Sequence, residues 1–360
     1  MDVKSFFPTT RDCTYLNTAA CGLISKSVFK IKNEDNRFLF QQTPRYLNTE
    51  DSIVSETKSL ISKIYNAAYS SIAITPNFSI SFNHILDGID SNLSFLCLEN
   101  DYPSLIYPIK KRGFDLKTIP ATHQIEEDIY AYIRSERPHI FALSITQFIN
   151  GLHISPAFLK ALKKDFPELL IIADATQYLG VEHLDFNNSG IDLLIASCYK
   201  WLNAGFGSSI VLMSEHLKPK VQSKTIGANS LIDKTKMKMR DMGFLEPGHF
   251  ELNSIKSLQT ALKLHYDKIG IDFISKKIKD LSGYAFERFE DLGLLDTTIS
   301  KRNVHSSIFN LSINPSVLDR FEREKIHASQ RGTGVRVSLH YYNTREDIEH
   351  FINVLVTTNI

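Results

Sequence analysis

Two ionisable side chains stand directly after apolar stretches of this sequence, where they could carry out chemistry. Asp174 ends the apolar run that begins at Leu169, and Lys200 follows the apolar run that ends at Ser197. A lysine among apolar side chains can have a lowered pKa and can act as an amine nucleophile or a base. Taken alone, Asp174 fits a helix N-cap or a loop salt bridge as well, and Lys200 fits an ordinary solvated side chain.

Two further segments have groups that suit anionic ligands. The sequence Asn77-Phe78-Ser79 follows a predicted strand and starts a predicted helix, where hydroxyl groups and free N–H groups bind phosphate well. Arg336 occurs at alternating spacing in an apolar strand, and its guanidinium fork suits a substrate carboxylate. Ordinary N-capping and a structural salt bridge are the alternatives for these two segments.

Several other chemistries fit the sequence badly. It contains no Walker A pattern, no H-E-x-x-H zinc motif and no G-x-S-x-G nucleophile elbow. The glycines at 205 and 207 lack the third glycine of a dinucleotide fingerprint and precede a strand, which argues against an α/β protein with such a cofactor. No metal site or disulfide framework is predicted, and a reducing cytoplasm fits best, because no C-x-x-C pair occurs among Cys13, Cys21, Cys97 and Cys198.

The elements that would position these side chains follow from hydrophobic periodicity. Short apolar runs alternate with amphipathic stretches such as Ser155–Phe166, which predicts a mainly parallel sheet covered by helices on both faces. Ligands of such sheets bind outside the carboxyl ends of the strands. The seven predicted strands are Ile72–Thr75, Ser94–Glu99, Leu116–Ile119, His139–Thr146, Leu169–Asp174, Leu193–Ser197 and Ser208–Met213.

The length of 360 residues favours two closely packed domains. We expect a large α/β domain over residues 15–252 and a smaller α+β domain over residues 253–360, which residues 1–14 could complete. The elements predicted for the smaller domain are a long helical region, two short strands and a final helix that begins near Asn343. Their ranges are Asn253–Leu292, Ser307–Ser312 and Val335–Leu339.

The charge balance gives no reason to expect a nucleic acid or a membrane as partner. Lysine and arginine number 41 and aspartate and glutamate number 40, so positive and negative charges nearly cancel. The first residues lack an apolar stretch of signal-peptide type.

Taken together, these segments resemble the class V aminotransferase family of fold-type I enzymes, which use pyridoxal 5′-phosphate (PLP). The resemblance runs in order from Tyr15-Leu-Asn-Thr-Ala-Ala to the last helix. Its most specific pieces are Ala173-Asp-Ala-Thr-Gln, Ser197-Cys-Tyr-Lys-Trp and Arg336-Val-Ser-Leu-His-Tyr-Tyr-Asn-Thr-Arg-Glu-Asp. It implies a mainly parallel seven-stranded sheet with a smaller α+β C-terminal domain, PLP as cofactor and an amino acid as substrate.

The resemblance also implies a role for each candidate residue around the cofactor ring. Lys200 matches the Schiff-base lysine, and Asp174 matches the carboxylate that keeps the pyridine nitrogen protonated. Gln177 resembles the residue that donates a hydrogen bond to the phenolic oxygen, and Tyr102 matches the position that stacks on the ring. Asn150 resembles an asparagine near the phenolic oxygen or the substrate.

The family pattern assigns further residues to the phosphate and the substrate. Phosphate contacts are implied for Phe78 (through its backbone N–H), Ser79, Ser197 and Tyr199. Arg336 resembles the arginine that binds the α-carboxylate, and Arg331 could assist it. His249 stands in a loop that, in the family, often involves the neighbouring subunit. We therefore expect a homodimer with shared active sites, and we include His249 among the substrate-binding residues.

Transamination is the expected reaction, because it is the family's generic one. A PLP-dependent lyase, an epimerase and a kynureninase-like hydrolase remain alternatives. Persulfide-forming cysteine desulfurase chemistry is disfavoured, because residues 313–335 contain no cysteine ahead of the substrate arginine. A homologue that only senses PLP or an amino acid is the alternative outside catalysis, and the intact set of Asp174, Lys200 and Arg336 argues against it.

Overall fold

The computed structural model describes residues 2–233 and 235–357. Its strands are β1 (Thr14–Tyr15), β2 (Ile72–Thr75), β3 (Phe95–Leu98), β4 (Leu116–Ile119), β5 (Ile140–Ser144), β6 (Leu170–Asp174), β7 (Leu193–Ser197), β8 (Ser209–Met213), β9 (Leu231–Asp233), β10 (Lys238–Met239), β11 (Ile308–Leu311), β12 (Ile326–His327), β13 (Ser329–Arg331) and β14 (Gly334–Ser338). Its α-helices are α1 (Lys26–Tyr46), α2 (Glu50–Tyr65), α3 (Phe78–Leu86), α4 (Pro103–Lys111), α5 (Ile125–Glu136), α6 (Pro156–Asp165), α7 (Leu252–Leu262), α8 (Ile271–Asp291), α9 (Thr297–Ser300), α10 (Leu318–Arg323) and α11 (Arg345–Val356). Within the described residues, no helix is both long and apolar enough to cross a membrane.

The seven predicted strands form one sheet in the order β2-β8-β7-β6-β5-β3-β4. Strand β8 runs antiparallel to β2 and β7, and the other neighbours pair in parallel. The predicted mainly parallel sheet is confirmed, although four of its strands are slightly shorter than the sequence predicts. Because six strands share one direction, their carboxyl ends meet at one edge, where the chain can gather polar side chains.

Alternate residues of each strand enter two different hydrophobic cores, one on each face of the sheet. Ile171 packs in the core that helices α2, α5, α6 and α7 cover, and the next residue, Ile172, packs in the core that α3 and α4 cover. Strands buried on both faces explain why the sequence shows continuous apolar runs there rather than an alternating pattern.

A smaller antiparallel sheet, in the order β11-β14-β13, packs with α8, α10 and α11 around a third core. Helix α11 begins with a capping box, in which Thr344 Oγ1 accepts a hydrogen bond from the Asp347 N–H and Asp347 Oδ2 accepts one from the Thr344 N–H. The N-terminal segment contacts this part of the chain, because β1 pairs in parallel with β12. The division into domains at residues 252 and 253 stays a prediction.

The long helical region predicted over residues 253–292 is interrupted. Helix α7 is followed by a π-helical turn over Lys263–Ile269, and α8 starts only after Gly270. Gly270 has φ 90° and ψ 127°, a backbone conformation that is unfavourable for residues with a Cβ atom. The periodicity of the apolar residues continues across the break, so the sequence pattern alone hides it.

Two glycine-to-alanine substitutions in this region should have opposite effects on stability. Gly270→Ala should destabilise the protein by roughly 1–3 kcal/mol, because the residue must keep its positive φ. Gly283→Ala, in the interior of α8 with open space where a Cβ would lie, should stabilise it by about 0.5–1 kcal/mol. Urea unfolding of both variants measures the difference, and equal effects would argue against a strained Gly270.

Candidate active site

A cavity of about 500 Å³ lies at the carboxyl ends of the sheet strands. Its wall contains the ends of β6 and β7, the first turn of α3 and the residue that precedes α4. Eight of the residues predicted for the site line this one cavity: Phe78, Ser79, Tyr102, Asp174, Gln177, Ser197, Tyr199 and Lys200.

Lys200 is buried in this wall, with only 7% of its surface exposed. Its Nζ lies 5.8 Å from the ring centre of Tyr102 and 5.7 Å from that of Tyr199. Within the described part of the chain, no carboxylate lies within 4 Å of Nζ. Burial, assisted by Arg336 and Arg331 and opposed by Asp174, lowers the pKa of the Lys200 ammonium to about 8. The neutral amine is therefore a minority near physiological pH, but a larger one than for an ordinary solvated lysine.

Asp174 ends β6 and is also buried, with its Oδ1 accepting a hydrogen bond of 2.8 Å from the Thr176 N–H. Burial raises the pKa of the carboxyl group to about 6, whereas the hydrogen bonds to Thr176 and the charge of Lys200 act to lower it. A buried carboxylate near a buried amine can hold a proton at a ligand nitrogen. The structure thus brings the two residues of the first sequence argument into one cavity.

Gln177 has its amide fixed by two hydrogen bonds. Its Oε1 accepts one from Trp201 Nε1 at 2.6 Å, and its Nε2 donates one to the Ala19 carbonyl at 3.0 Å. These partners define which side of the amide carries the N–H groups. One N–H of the amide remains, and Gln177 lines the cavity, so this group can donate to a ligand oxygen.

The first turn of α3 contributes the polar groups expected to bind phosphate. Asn77 caps the helix by accepting a hydrogen bond from the Ile80 N–H. The Phe78 N–H donates to Ser197 Oγ at 3.0 Å, and Ser79 Oγ donates to Ser104 Oγ at 2.9 Å. These groups lie together at a helix N-terminus, which favours an anion.

Arg336 lies behind Phe148, a residue of the cavity wall, and is not part of the wall itself. Only 1% of its surface is exposed. Its Nη1 donates to the Phe148 carbonyl at 2.7 Å, its Nη2 lies 3.5 Å from Ser329 Oγ, and its Nε has no partner. Burial, followed by the charge of Arg331, lowers the pKa of the Arg336 guanidinium to about 9. In the chain segments that the structure describes, Arg336 forms no ion pair with a carboxylate.

Two further residues predicted for the site, like Arg336, lie outside the cavity wall. Asn150 uses its Oδ1 to accept a hydrogen bond from the Leu152 N–H. His249 has a side chain that is 67% exposed, and its Nδ1 pairs with Glu50 at 2.8 Å. The role of Asn150 stays a prediction, and so does that of His249, which would have to act in a neighbouring subunit.

Sequence reasoning missed several residues that the fold brings to the cavity. Phe206 covers Tyr199, with the ring centres 4.7 Å apart, although 66% of its surface is exposed. Asp101 is not part of the wall, but it is buried and supports Tyr102, because its Oδ1 accepts a hydrogen bond from the Tyr102 N–H at 2.6 Å. The signal available for Asp101 was its position just after a predicted strand. The other lining residues missed are Ile80, Ser144, Thr146, Phe148 and Thr176.

Comparison with known families identifies the chain. A model described as Aminotransferase class-V matches residues 42–351. The protein belongs to the class V aminotransferase family. The resemblance inferred from the sequence is confirmed, and so are an enzymatic role and PLP as cofactor.

Relatives with curated descriptions share about a quarter of their residues with this class V protein. An uncharacterized aminotransferase of Schizosaccharomyces pombe is 24% identical over 334 residues, covering 83% of this chain and 80% of the relative. A probable cysteine desulfurase of Pyrococcus abyssi is 22% identical over 392 residues, covering 98% of this chain and 96% of the relative.

Solved structures show the same fold. A cystine C–S lyase in complex with its reaction product, cysteine persulfide, superposes with a TM-score of 0.88 at 16% identity, covering 97% of this chain and 98% of the lyase. The apo cysteine desulfurase of Thermococcus onnurineus gives a TM-score of 0.86 at 17% identity, covering 100% of this chain and 98% of that one. The expected fold-type I architecture is therefore confirmed.

The cavity of the class V protein has the groups that PLP needs. A buried amine with a lowered pKa can bond to the aldehyde, and a buried carboxylate can hold the ring nitrogen protonated. The N-terminus of α3 suits the phosphate, and the Tyr102 ring can stack on a flat heterocycle. The residues present therefore fit the cofactor.

Borohydride reduction should attach the cofactor to Lys200. We expect the reduced, PLP-loaded protein to lose its visible absorption band and to yield one labelled peptide, the one that contains Lys200, in mass spectrometry. Lys200→Ala should show no visible band, and the matched control Lys224→Ala, at an exposed lysine, should keep it. A label on another lysine would contradict the assignment of Lys200.

Asp174→Asn should stabilise the cofactor-free protein at alkaline pH. The pKa of Asp174 in the folded protein, about 6, lies above its usual value of 3.8, so ionisation destabilises the fold. This destabilisation is absent below about pH 4 and complete above about pH 7, where it amounts to about 1–3 kcal/mol. Urea unfolding at pH 4 and pH 8 measures it. The free energy of unfolding of the variant should exceed that of the wild type only at pH 8. The exposed control Asp241→Asn should change the free energy of unfolding at neither pH.

Proposed function

We propose that this class V protein is an aminotransferase whose amino acid substrate is bound through its α-carboxylate by Arg336. The observation that carries the proposal is a buried guanidinium group with no acidic partner in the described residues. A buried charge without a counter-ion is unfavourable, and a bound carboxylate would supply one in the fork geometry that arginine prefers.

The other residues of the cavity would divide the remaining tasks. Lys200 would hold the cofactor through Nζ, and Asp174 would keep a proton on its ring nitrogen. Bound PLP supplies an electron sink that weakens the bonds of the substrate's α-carbon. Lys200, with a pKa near 8, is suited to accept the α-proton at Nζ and to return it later. Tyr102 and Gln177 would orient the ring by stacking and by an N–H donor.

Transamination demands no group beyond these. A persulfide-forming reaction needs a thiolate nucleophile, and residues 313–335 contain no cysteine. Cys21 lies close enough to interact electrostatically with Lys200, but burial raises the pKa of its thiol, which disfavours the thiolate. These observations support transamination over cysteine desulfuration by a protein-bound persulfide.

Carbon–sulfur bond cleavage is the second candidate. It is supported by the relatives described as probable cysteine desulfurases and by the fold shared with a cystine C–S lyase. Such a lyase would use the same Lys200 and Arg336 and would differ in the product released. Epimerisation and kynureninase-like hydrolysis have no specific observation in their favour.

A homodimer in the cytoplasm completes the proposal. Phe206 lines the cavity although most of its surface is exposed, and Ile24, whose side chain lies close to Gly205, is 42% exposed. Exposed apolar side chains at the edge of a site suit a subunit interface, which would give shared active sites. The four cysteines are free, as expected in a reducing compartment.

A spectral screen of amino acids against the PLP-loaded protein tests the function. We expect a productive amino acid to replace the visible band by that of the pyridoxamine form and to release its 2-oxo acid in equal amount. Arg336→Gln should weaken binding of that amino acid at least ~30-fold, because truncating one partner of a buried charge pair costs about 2–5 kcal/mol. The control Arg288→Gln removes a surface ion pair with Glu349 and should leave binding unchanged.

Two results would overturn the proposal. If no amino acid changes the spectrum, the protein does not transaminate. If cystine or cysteine instead yields sulfur products and pyruvate while the pyridoxamine form never accumulates, carbon–sulfur cleavage is its reaction.

A further inference from the structure

The hairpin of β13 and β14 places a second guanidinium group on the same face as Arg336. Ser329 pairs with Arg336 and Arg331 pairs with Gly334 in the antiparallel register. Side chains alternate along a strand, so Arg331 lies on the same face as Ser329, and Ser329 lies directly opposite Arg336. The approach of Arg336 Nη2 to Ser329 Oγ, 3.5 Å, agrees with this arrangement. Arg331 is therefore the diagonal neighbour of Arg336.

The charge of Arg331 acts on the candidate active site. It lowers the pKa of both Arg336 and Lys200, so three cationic side chains share this region. Asp174 is the carboxylate that opposes them at Lys200. Like charges repel one another, and the repulsion among these three side chains is unfavourable unless anions lie between them.

Arg331 lacks an acidic partner in the part of the protein that the structure describes. Its Nη1 donates to the carbonyl of the adjacent residue, Gln330, at 2.6 Å. Its cross-strand partner is Gly334, which has no side chain to pair with it. A side chain could not be accommodated there, because a Cβ on Gly334 would lie 2.4 Å from the Leu311 carbonyl oxygen. Arg331 is partly exposed and, like Arg336, is not part of the described cavity wall, so its guanidinium can bind an anion without breaking an ion pair.

We propose that Arg331 binds a second anionic group of the substrate, so that the substrate is a dicarboxylic amino acid. This inference rests on the proposed function, in which Arg336 binds the α-carboxylate. One carboxylate compensates one guanidinium, and a second carboxylate relieves the repulsion that remains. Apart from Lys200 and Asp174, which serve the cofactor, the residues that line the cavity carry no charge. The described wall thus has no acidic group left for a cationic substrate side chain.

Carboxylic acids without an amino group allow binding to be measured without reaction. The PLP-loaded protein is titrated in a calorimeter with two pairs of acids of equal length, succinate with butyrate and glutarate with pentanoate. In at least one pair the dicarboxylate should bind about tenfold more tightly or better, as expected for charge-assisted hydrogen bonds to a second guanidinium. Arg331→Gln should abolish this difference and leave the affinity for the monocarboxylate within about twofold. Arg331→Lys should restore part of this difference in affinity, because lysine returns the positive charge but not the bidentate geometry of a guanidinium.

Amino acids of matched shape give an independent measurement. In the spectral screen, aspartate or glutamate should convert the wild-type protein at lower concentration than asparagine or glutamine. Arg331→Gln should raise the concentration needed for the acidic amino acid and leave that for its amide unchanged.

The failures of this inference and of the proposed function are distinguishable. If monocarboxylates bind as tightly as dicarboxylates in an Arg336-dependent way, the proposed function stands and a dicarboxylic substrate is wrong. If Arg331→Gln weakens both acids equally, Arg331 serves the α-carboxylate and the inference is also wrong. If no carboxylate binds and no amino acid changes the spectrum, both proposals fail.

Discussion

The position of the turn that carries Lys200 depends on contacts with distant parts of the chain. Gly22 donates its N–H to this turn, and a Cβ on Gly22 would lie 1.8 Å from the Lys200 carbonyl oxygen, so the N-terminal segment must pass without a side chain. From the other side, the Nε2 atoms of His265 and His340 each lie 3.1 Å from the Trp201 carbonyl oxygen. The N-terminal segment, the π-helical turn and the C-terminal part therefore meet at one place.

The charged groups around this turn affect both the protonation of Lys200 and the attraction of the region for anions. Burial makes the charged form of Lys200 less favourable, and the nearby guanidinium groups of Arg336 and Arg331 make it less favourable still. The same groups make the region attractive to anions. One arrangement therefore lowers the pKa of the Lys200 amine and would also favour a bound carboxylate, and Asp174 limits how far the pKa of Lys200 falls. In the proposed function, a substrate carboxylate would supply the counter-ion that the fold itself does not provide.

The sequence could predict the groups that end strands, because strand ends are encoded locally. Asp174 and Lys200 follow apolar runs, and the sheet brings such ends together at one edge. The loop residues that line the cavity could not be predicted in the same way. Phe148 and Phe206 enter the cavity only through the path of the chain between elements, and an exposed phenylalanine between two glycines has no periodicity to indicate its role. The break at Gly270 was missed for a related reason, since one backbone conformation, and not the apolar pattern, ends the helix.

The choice among reactions depends on groups that differ from those that bind the cofactor. In the proposed function, Lys200, Asp174 and Arg336 would act on the α-carbon, the cofactor ring and the α-carboxylate, which every reaction of an amino acid on PLP involves. What distinguishes the outcomes is the chemistry available at the substrate side chain. Elimination needs a leaving group on the substrate side chain. Transfer of sulfur to the protein needs a cysteine thiolate beside that side chain. Transamination needs only a base that moves a proton. A free guanidinium group at Arg331 is suited to hold an anionic side chain in place and not to expel it, and this favours transamination within the site.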